Sequence, residues 1–137
     1  MPILQGMCSS FKQESWQGIH NLPVDTIKMA LYTANANLSQ ATTVYTTTGE
    51  TTGAYVAGGV VLTNVQVLLS GTTAYVTFDN PVWANASFTC RGALIYNASK
   101  ANRAIAVIDF GADKTASGTF TVQLPAATAT TALLRFA

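Results

Sequence analysis

The chain has 137 residues, close to the usual size of a single domain with one substantial core, and its formal net charge is +1. Charged residues make up 9% and apolar residues 49%, whereas ordinary soluble domains carry about 25% charge. The seven Lys and Arg are scattered rather than clustered, so no nucleic-acid partner is expected. No apolar run reaches the roughly 18 to 20 residues of a membrane span, so no membrane partner is expected either.

The first residues, "MPILQGMCSSFKQESW", hold no apolar run of the kind a secretory signal requires, which predicts a soluble product made in the cytoplasm. Ser10 followed by Gln13 reads as an N-capping pair. Phe11, Ser15, Trp16 and Ile19 then line one side of a short helix, which Gly18 and Pro23 limit to about two turns. Residues 1–24 are therefore expected to form an arm with a short helix, and residues 25–137 the main domain.

From Asp25 the apolar period changes to two. Ile27, Met29 and Leu31 point one way and Thr26, Lys28, Ala30 and Tyr32 the other, the pattern of a half-buried strand. Residues 41–59, "ATTVYTTTGETTGAYVAGG", are rich in threonine and broken by Gly49, Gly53, Gly58 and Gly59. They read as short edge strands or as a long ordered loop. An exposed edge there would be open to pairing with a partner's sheet.

Residues 60–69 and 73–80 flank Ser70, Gly71 and Thr72, which predicts a hairpin with Gly71 at the positive φ. Ala74, Val76 and Phe78 share one face of its second strand, Tyr75 and Thr77 the other, and Pro81 ends it. Residues 87–97 and 103–110 make a second hairpin through the polar turn "ASKAN". Its second strand runs into "IDFG", where Asp109, Phe110 and Gly111 match the triplet with which protein kinases hold magnesium. Nothing else of a kinase is present, so Asp109 and Gly111 read as the turn that ends a strand. In residues 117–125, Phe120, Val122 and Leu124 alternate inward against Thr119, Thr121 and Gln123, and residues 131–137 close the chain as a last strand. Roughly eight short strands with regular turn signals and one short helix argue for an all-β fold, an antiparallel jelly-roll-like sandwich.

The residues able to do chemistry are sparse. The six acids are dispersed, and only Asp109 and Asp113 lie close together. Two carboxylates fall short of the about six oxygens that calcium takes, so they read as solvated turn acids beside Lys114. His20 and Cys90 form a nucleophile and base only if folding brings them together, and no third orienting group is recognisable. One His and two Cys cannot supply a standard zinc site, and Gly58-Gly59 lacks the remainder of a phosphate loop. Cys8 and Cys90 read as free thiols, and the sequons at Asn37, Asn85 and Asn97 as turn residues. Trp16, Trp83 and the five tyrosines either line a sugar-binding face or serve as core and subunit contacts. The expectation is a protein with no enzymatic activity, no cofactor and no metal.

A charge-poor, threonine-rich exterior suits a chain whose outer faces are covered by neighbouring subunits. Two phrases carry a further likeness, "RGALIYNASKANRAIAVIDFGADKTASGTFTVQLP" and "DTIKMALYTANANL". The matching segments are Ser10 to Trp16 with His20-Asn21, Asp25 to Thr33, Arg91 to Asn97, and Arg103 to Lys114. In these the chain resembles virion proteins of short-tailed bacteriophages, in particular the capsid cement, or decoration, proteins. The resemblance implies a jelly-roll fold seated on the outside of the head, with the major capsid protein and its own copies, as dimer or trimer, for partners. A tail or head-fibre component and a carbohydrate-binding host-attachment module are the alternatives. Phe11 and Trp16 of the arm are expected to grip a partner. Arg91 and Arg103, flanking the second hairpin at matching ends, are expected to pair with acidic groups on the shell.

Overall fold

The computed structural model describes residues 3–124 and 132–136. The chain is all-β with one short helix, and its strands form two antiparallel sheets. The larger sheet has the order β1-β7-β6-β2-β3, comprising β1 (Gly6–Met7), β7 (Arg103–Thr121), β6 (Val82–Asn97), β2 (Ile27–Tyr32) and β3 (Val60–Val61). The smaller has the order β4-β5-β8, comprising β4 (Gln66–Ser70), β5 (Thr73–Thr77) and β8 (Leu134–Phe136). This arrangement is consistent with a sandwich. The five-plus-three division, with β6 and β7 as sequential partners in one sheet, does not establish the jelly-roll connectivity expected from the strand count.

The β6–β7 hairpin is the frame, and its strands of 16 and 19 residues far exceed the two short segments that the turn signals suggest. "IDFG" does not end a strand. The ladder pairs Gly92 with Asp109 and Cys90 with Lys114, so Arg91 alone stands opposite residues 110–113. Gly111 at φ +80° and its N–H, donated to Asp109 Oδ1 at 2.9 Å, form the bulge that lets β7 continue. Of the separate strand expected over 117–125, residues 117–121 are the far end of β7, and residue 125 lies outside the described residues. Beyond the bulge, Trp83, Phe88, Phe110 and Phe120 form an aromatic cluster with ring centroids 5.5 to 6.3 Å apart.

Strand β2 is not half-buried. Ile27, Met29, Ala30, Leu31 and Tyr32 are all buried, and only Lys28 reaches partway to solvent. Its second face is covered by residues 41–59, which form an ordered loop. The Thr51 N–H donates to Leu31 O, Tyr45 N–H to Asn102 O and Ala104 N–H to Thr43 O, and single bridges join Val44 to Arg103 and Ala54 to Ser87. The predicted strand 60–69 is split, β3 joining the large sheet and β4 the small one. The β4–β5 hairpin turns at Gly71, φ +59°, as expected.

Helix α1 (Ser9–Trp16) ends at Gly18, φ +73°, whose N–H donates to Ser15 O. Its start differs from expectation. Cys8 occupies the N-cap with no side-chain hydrogen bond, and the Ser10 hydroxyl is buried without a hydrogen-bond partner among the described residues. Backbone geometry decides this, because the Cys8 N–H is drawn into the sheet by Ile105 O at 2.8 Å and fixes where the helix can begin. Cys8 and Cys90 are free and buried, and burial pushes their thiols up to about 11 and about 12, helped by the charges of Glu14 and Asp113.

Two glycines show where the loop meets the frame. A Cβ on Gly59, φ +80°, would sit 1.8 Å from Met29 O, whereas one on Gly71 would meet nothing. Both positions resist an L side chain, but only the first is also sterically closed. Gly59→Ala is therefore expected to cost ~3 to 5 kcal/mol and Gly71→Ala ~1 kcal/mol, as read by urea denaturation.

Candidate docking surfaces and the buried clamps behind them

Two polar clusters hold irregular chain onto the frame. In the first, Glu50 is only 8% exposed, and it arrives there because the loop 41–59 turns at Gly49, φ +78°. Its carboxylate accepts the Tyr45 and Tyr55 hydroxyls, each at 2.5 Å, and the Gly58 N–H at 2.8 Å. The Tyr96 hydroxyl donates to Gly58 O at 2.6 Å and Tyr32 to Thr46 O at 2.5 Å, while Tyr45 stacks on Tyr96 with centroids 4.7 Å apart. The buried charge is fully solvated by protein donors, which makes the cluster a clamp. Burial first, and Glu50 beside them second, push all four phenols above their ordinary range, Tyr96 to about 12.

The second cluster ties the arm to the β6–β7 turn. His20 Nε2 donates to Glu14 Oε1 at 2.8 Å, and its Nδ1 accepts from Asn97 Nδ2 at 3.0 Å. Asn97, fully buried, also donates to Asp25 Oδ2 at 2.8 Å and accepts the Ser99 N–H on Oδ1 at 3.0 Å. Lys100 pairs with Asp25 at 3.0 Å and Arg103 with Glu14 at 2.9 Å. Burial works to raise the Asp25 carboxyl, but hydrogen bonds from Asn97, Asn21 and Lys100, with the Lys100 charge, hold it below the usual carboxylate range. A carboxylate, His and amide in series resemble a catalytic relay, yet every donor and acceptor in this one is satisfied by the protein. Cys90 lies in a different environment, paired with Lys114 across β6 and β7. Asn97, read as a sequon at a turn, is the hub of this network.

The predicted contact residues separate. Phe11 is 4% exposed and packs on His20 at 4.9 Å and Phe136 at 6.3 Å, whereas Trp16, on another face of α1, is 90% exposed. Of the two, only Trp16 is on the surface. Arg103 faces Asn97 beside the turn, and Arg91 stands beyond Gly92 and Asp109, so they lie at opposite ends of that stretch of ladder rather than at matching ends. Each already has internal partners. Arg103 binds Glu14, and Arg91 donates to Gly111 O at 3.3 Å and lies 3.8 Å from Asp109. Trp83, considered for a sugar platform, is 6% exposed, and Tyr32, Tyr45, Tyr55 and Tyr96 turn inward around Glu50. Among the described residues no group of three or more His, Cys, Asp or Glu is placed to hold a metal ion, and no helix is long and apolar enough to cross a membrane.

The small sheet was not singled out by the sequence as a surface. Every residue of β4 is exposed, including Val67, Leu68 and Leu69, and among the described residues no strand pairs with its far edge. No charged residue lies between Glu50 and Asp79 to protect it. A groove of about 360 Å³ opens between α1 and this sheet, walled by Phe11, Leu22, Val76, Leu134 and Phe136. Compared with known proteins, the chain matches no family model, no curated protein and no solved structure.

The clamps have opposite pH signatures. Unfolded phenols ionise near pH ~10. The folded ones hold their protons beyond that, so the stability they confer is full below about pH 9 and is lost as pH rises towards 12 and above. The urea midpoint is expected to fall steadily across this alkaline window, and less steeply in Tyr55→Phe; a flat midpoint would contradict the assignment. Asp25 acts in the other sense, its contribution being present above pH ~4 and lost as pH falls through its depressed folded value. Asn97→Ala strips partners from His20 and Asp25 together and is expected to cost ~2 to 4 kcal/mol, with faster proteolysis of residues 9–24.

Proposed function

We propose that the chain is a non-enzymatic virion structural protein, a cement protein that seats on the outer surface of a bacteriophage head and bridges major capsid subunits. The observation that carries this reading is the small sheet. An uncharged edge strand with three adjacent exposed aliphatic residues is what soluble proteins normally avoid or cover. Such an edge adds a strand to a partner's sheet, with backbone hydrogen bonds supplying affinity and alternate side chains supplying fit. The sequence likeness to cement proteins supplies the identity of the partner, and the charge-poor composition is in keeping with it.

A cement protein has to be small, rigid and held to more than one shell subunit. The two clamps meet the second need, since they fix the arm and the long loop to one frame and so limit the ordering entropy spent on docking. Contacts of ordinary size, about 800 Å² per partner, suffice for micromolar affinity. Bridging then multiplies their effect, because two shell subunits separate only after both contacts release. Resistance to outward pressure follows without a covalent link.

The test is co-sedimentation of the purified chain with empty heads, together with the temperature at which the shells disrupt. Binding and a raised disruption temperature are expected. Leu69→Lys, at a side chain 74% exposed, is expected to weaken binding at least about tenfold while leaving the melting temperature unchanged. Indifference to heads combined with binding on a glycan array would overturn the proposal in favour of host-attachment chemistry.

A further inference from the structure

Strand β4 carries a defined set of open hydrogen-bonding groups. The two-residue turn at Gly71 and Thr72 makes Ser70 and Thr73 a hydrogen-bonded pair. Pairs alternate from there, so Gln66, Leu68 and Ser70 spend their backbone groups on β5, while the N–H and C=O of Val67 and Leu69 point away from it. No strand among the described residues takes them up. All five residues of β4 are exposed, so both faces of the edge are open to an incoming strand.

We propose that the strand received there is β4 of a second copy of this chain, antiparallel and about a two-fold axis through Leu68, so that two three-stranded sheets join into one of six. Three features select this occupant. The first is the sequence of the strand, which has the same polarity read in either direction, with Gln66 and Ser70 at the ends and Val67, Leu68 and Leu69 between them. Inverted on itself about Leu68, it sets aliphatic against aliphatic and polar against polar. The second is the phase of the open groups. Val67 and Leu69, the two residues whose backbone points outward, become each other's partners across the axis, giving about four ladder hydrogen bonds, and Leu68 meets Leu68 as a non-hydrogen-bonded pair. The third is charge. No charged residue lies between Glu50 and Asp79, and Arg135 sits on β8 at the opposite edge of the sheet, so pairing the strand with itself opposes no like charges. The charges with which edges usually forbid pairing of this kind are missing.

The same axis continues the apolar face. Val67 and Leu69 lie opposite Val76 and Ala74 and share their face. Across the join Val67 stands beside Leu69 of the second copy, a side chain 74% exposed in the single chain, and covers part of it. A five-residue strand spans only about 17 Å, and such a contact buries well under the about 800 Å² per partner of a standard interface. The dimer is therefore weak in solution and becomes populated where copies are held side by side. This pairing rests on the reading of β4 as a docking edge and names the strand that the edge receives; the two-fold pair then offers a shell two identical sets of its remaining contacts.

Sedimentation velocity of the full chain over a dilution series is the test, with the melting temperature taken for every variant. A monomer–dimer equilibrium in the micromolar range is expected. Val67→Pro removes one outward N–H while keeping an aliphatic side chain and the bonds to β5, and is expected to weaken the dimer at least about tenfold with little change in melting temperature. Leu68→Lys and Leu68→Glu are each expected to abolish the dimer, because the axis sets position 68 against itself with Cβ atoms about 5 Å apart, and an equimolar mixture of the two is expected to recover a heterodimer. A chain that stays monomeric at all concentrations, a Val67→Pro dimer as tight as the parent, or a mixture of the charged variants that does not associate would each overturn the pairing. Where Val67→Pro lowers the melting temperature, the charged mixture decides alone, at a side chain already 40% exposed. Monomers that bind phage heads would overturn the pairing and make the shell the occupant of the edge; dimers indifferent to heads would uphold it and remove the cement reading, so the two fail separately.

Discussion

The structure depends on spending its few ionic groups inward. Of six acids, Glu14, Asp25 and Glu50 are buried or nearly so, and each is met by several donors. A carboxylate in the interior is costly unless its lone pairs are filled, and one left unpaired would cost more than the clamp contributes. Here the filling groups come from segments that have no regular ladder of their own. Tyr45, Tyr55 and Gly58 belong to the loop, and Asn21 and His20 belong to the arm. The buried charges thus tie loop and arm to the frame, since displacing either segment would leave a carboxylate short of donors.

That expenditure explains the surface. Lys100 and Arg103 face Asp25 and Glu14, and Arg91 faces Asp109, so most charges that a composition table counts are not free to keep neighbouring molecules apart. What is left on β4 is neutral, with exposed Val67, Leu68 and Leu69, and the one charge of the small sheet is Arg135 on β8. A protein normally blunts such an edge with Lys, Pro or a bulge. In this chain the bulge at Gly111 serves β7 instead, where Arg91 and Asp109 pin it.

How much could be read in advance follows from the range of the forces. The β4–β5 turn and the turn joining β6 to β7 were legible, because Gly71 and the polar run 98–102 decide local backbone geometry on their own. The inward phase of Phe120 and Val122 was legible from period two for the same reason. The second buried face of β2 was not, since Ala30 and Tyr32 are covered by a loop whose threonines and glycines carry no apolar period. The full length of β7 was hidden by Gly111, which reads as a break but is absorbed by a register shift. Trp16 was legible as an aromatic outside the strand pattern, but not as the exposed side chain of a helix whose Phe11 is buried. Glu50 was not, because a lone acid among threonines gives no sign that three donors will converge on it. The one available hint was that tyrosines recur at 45 and 55, flanking Glu50 in a loop otherwise lacking large polar side chains.

The same logic bears on why a charge-poor chain need not aggregate. Unpaired apolar edges are dangerous chiefly when they are flexible, because a mobile strand can accept many registers. Here the small sheet is pinned at β8, where Val76 pairs with Leu134, and Phe136 packs on Phe11, which in turn packs on His20. The clamp around Asn97 therefore reaches the small sheet through a chain of ring contacts. Loosening the arm would free the groove wall before it unfolded the frame. A surface held this way presents one register and one shape, which is the difference between association with a defined partner and indiscriminate sticking.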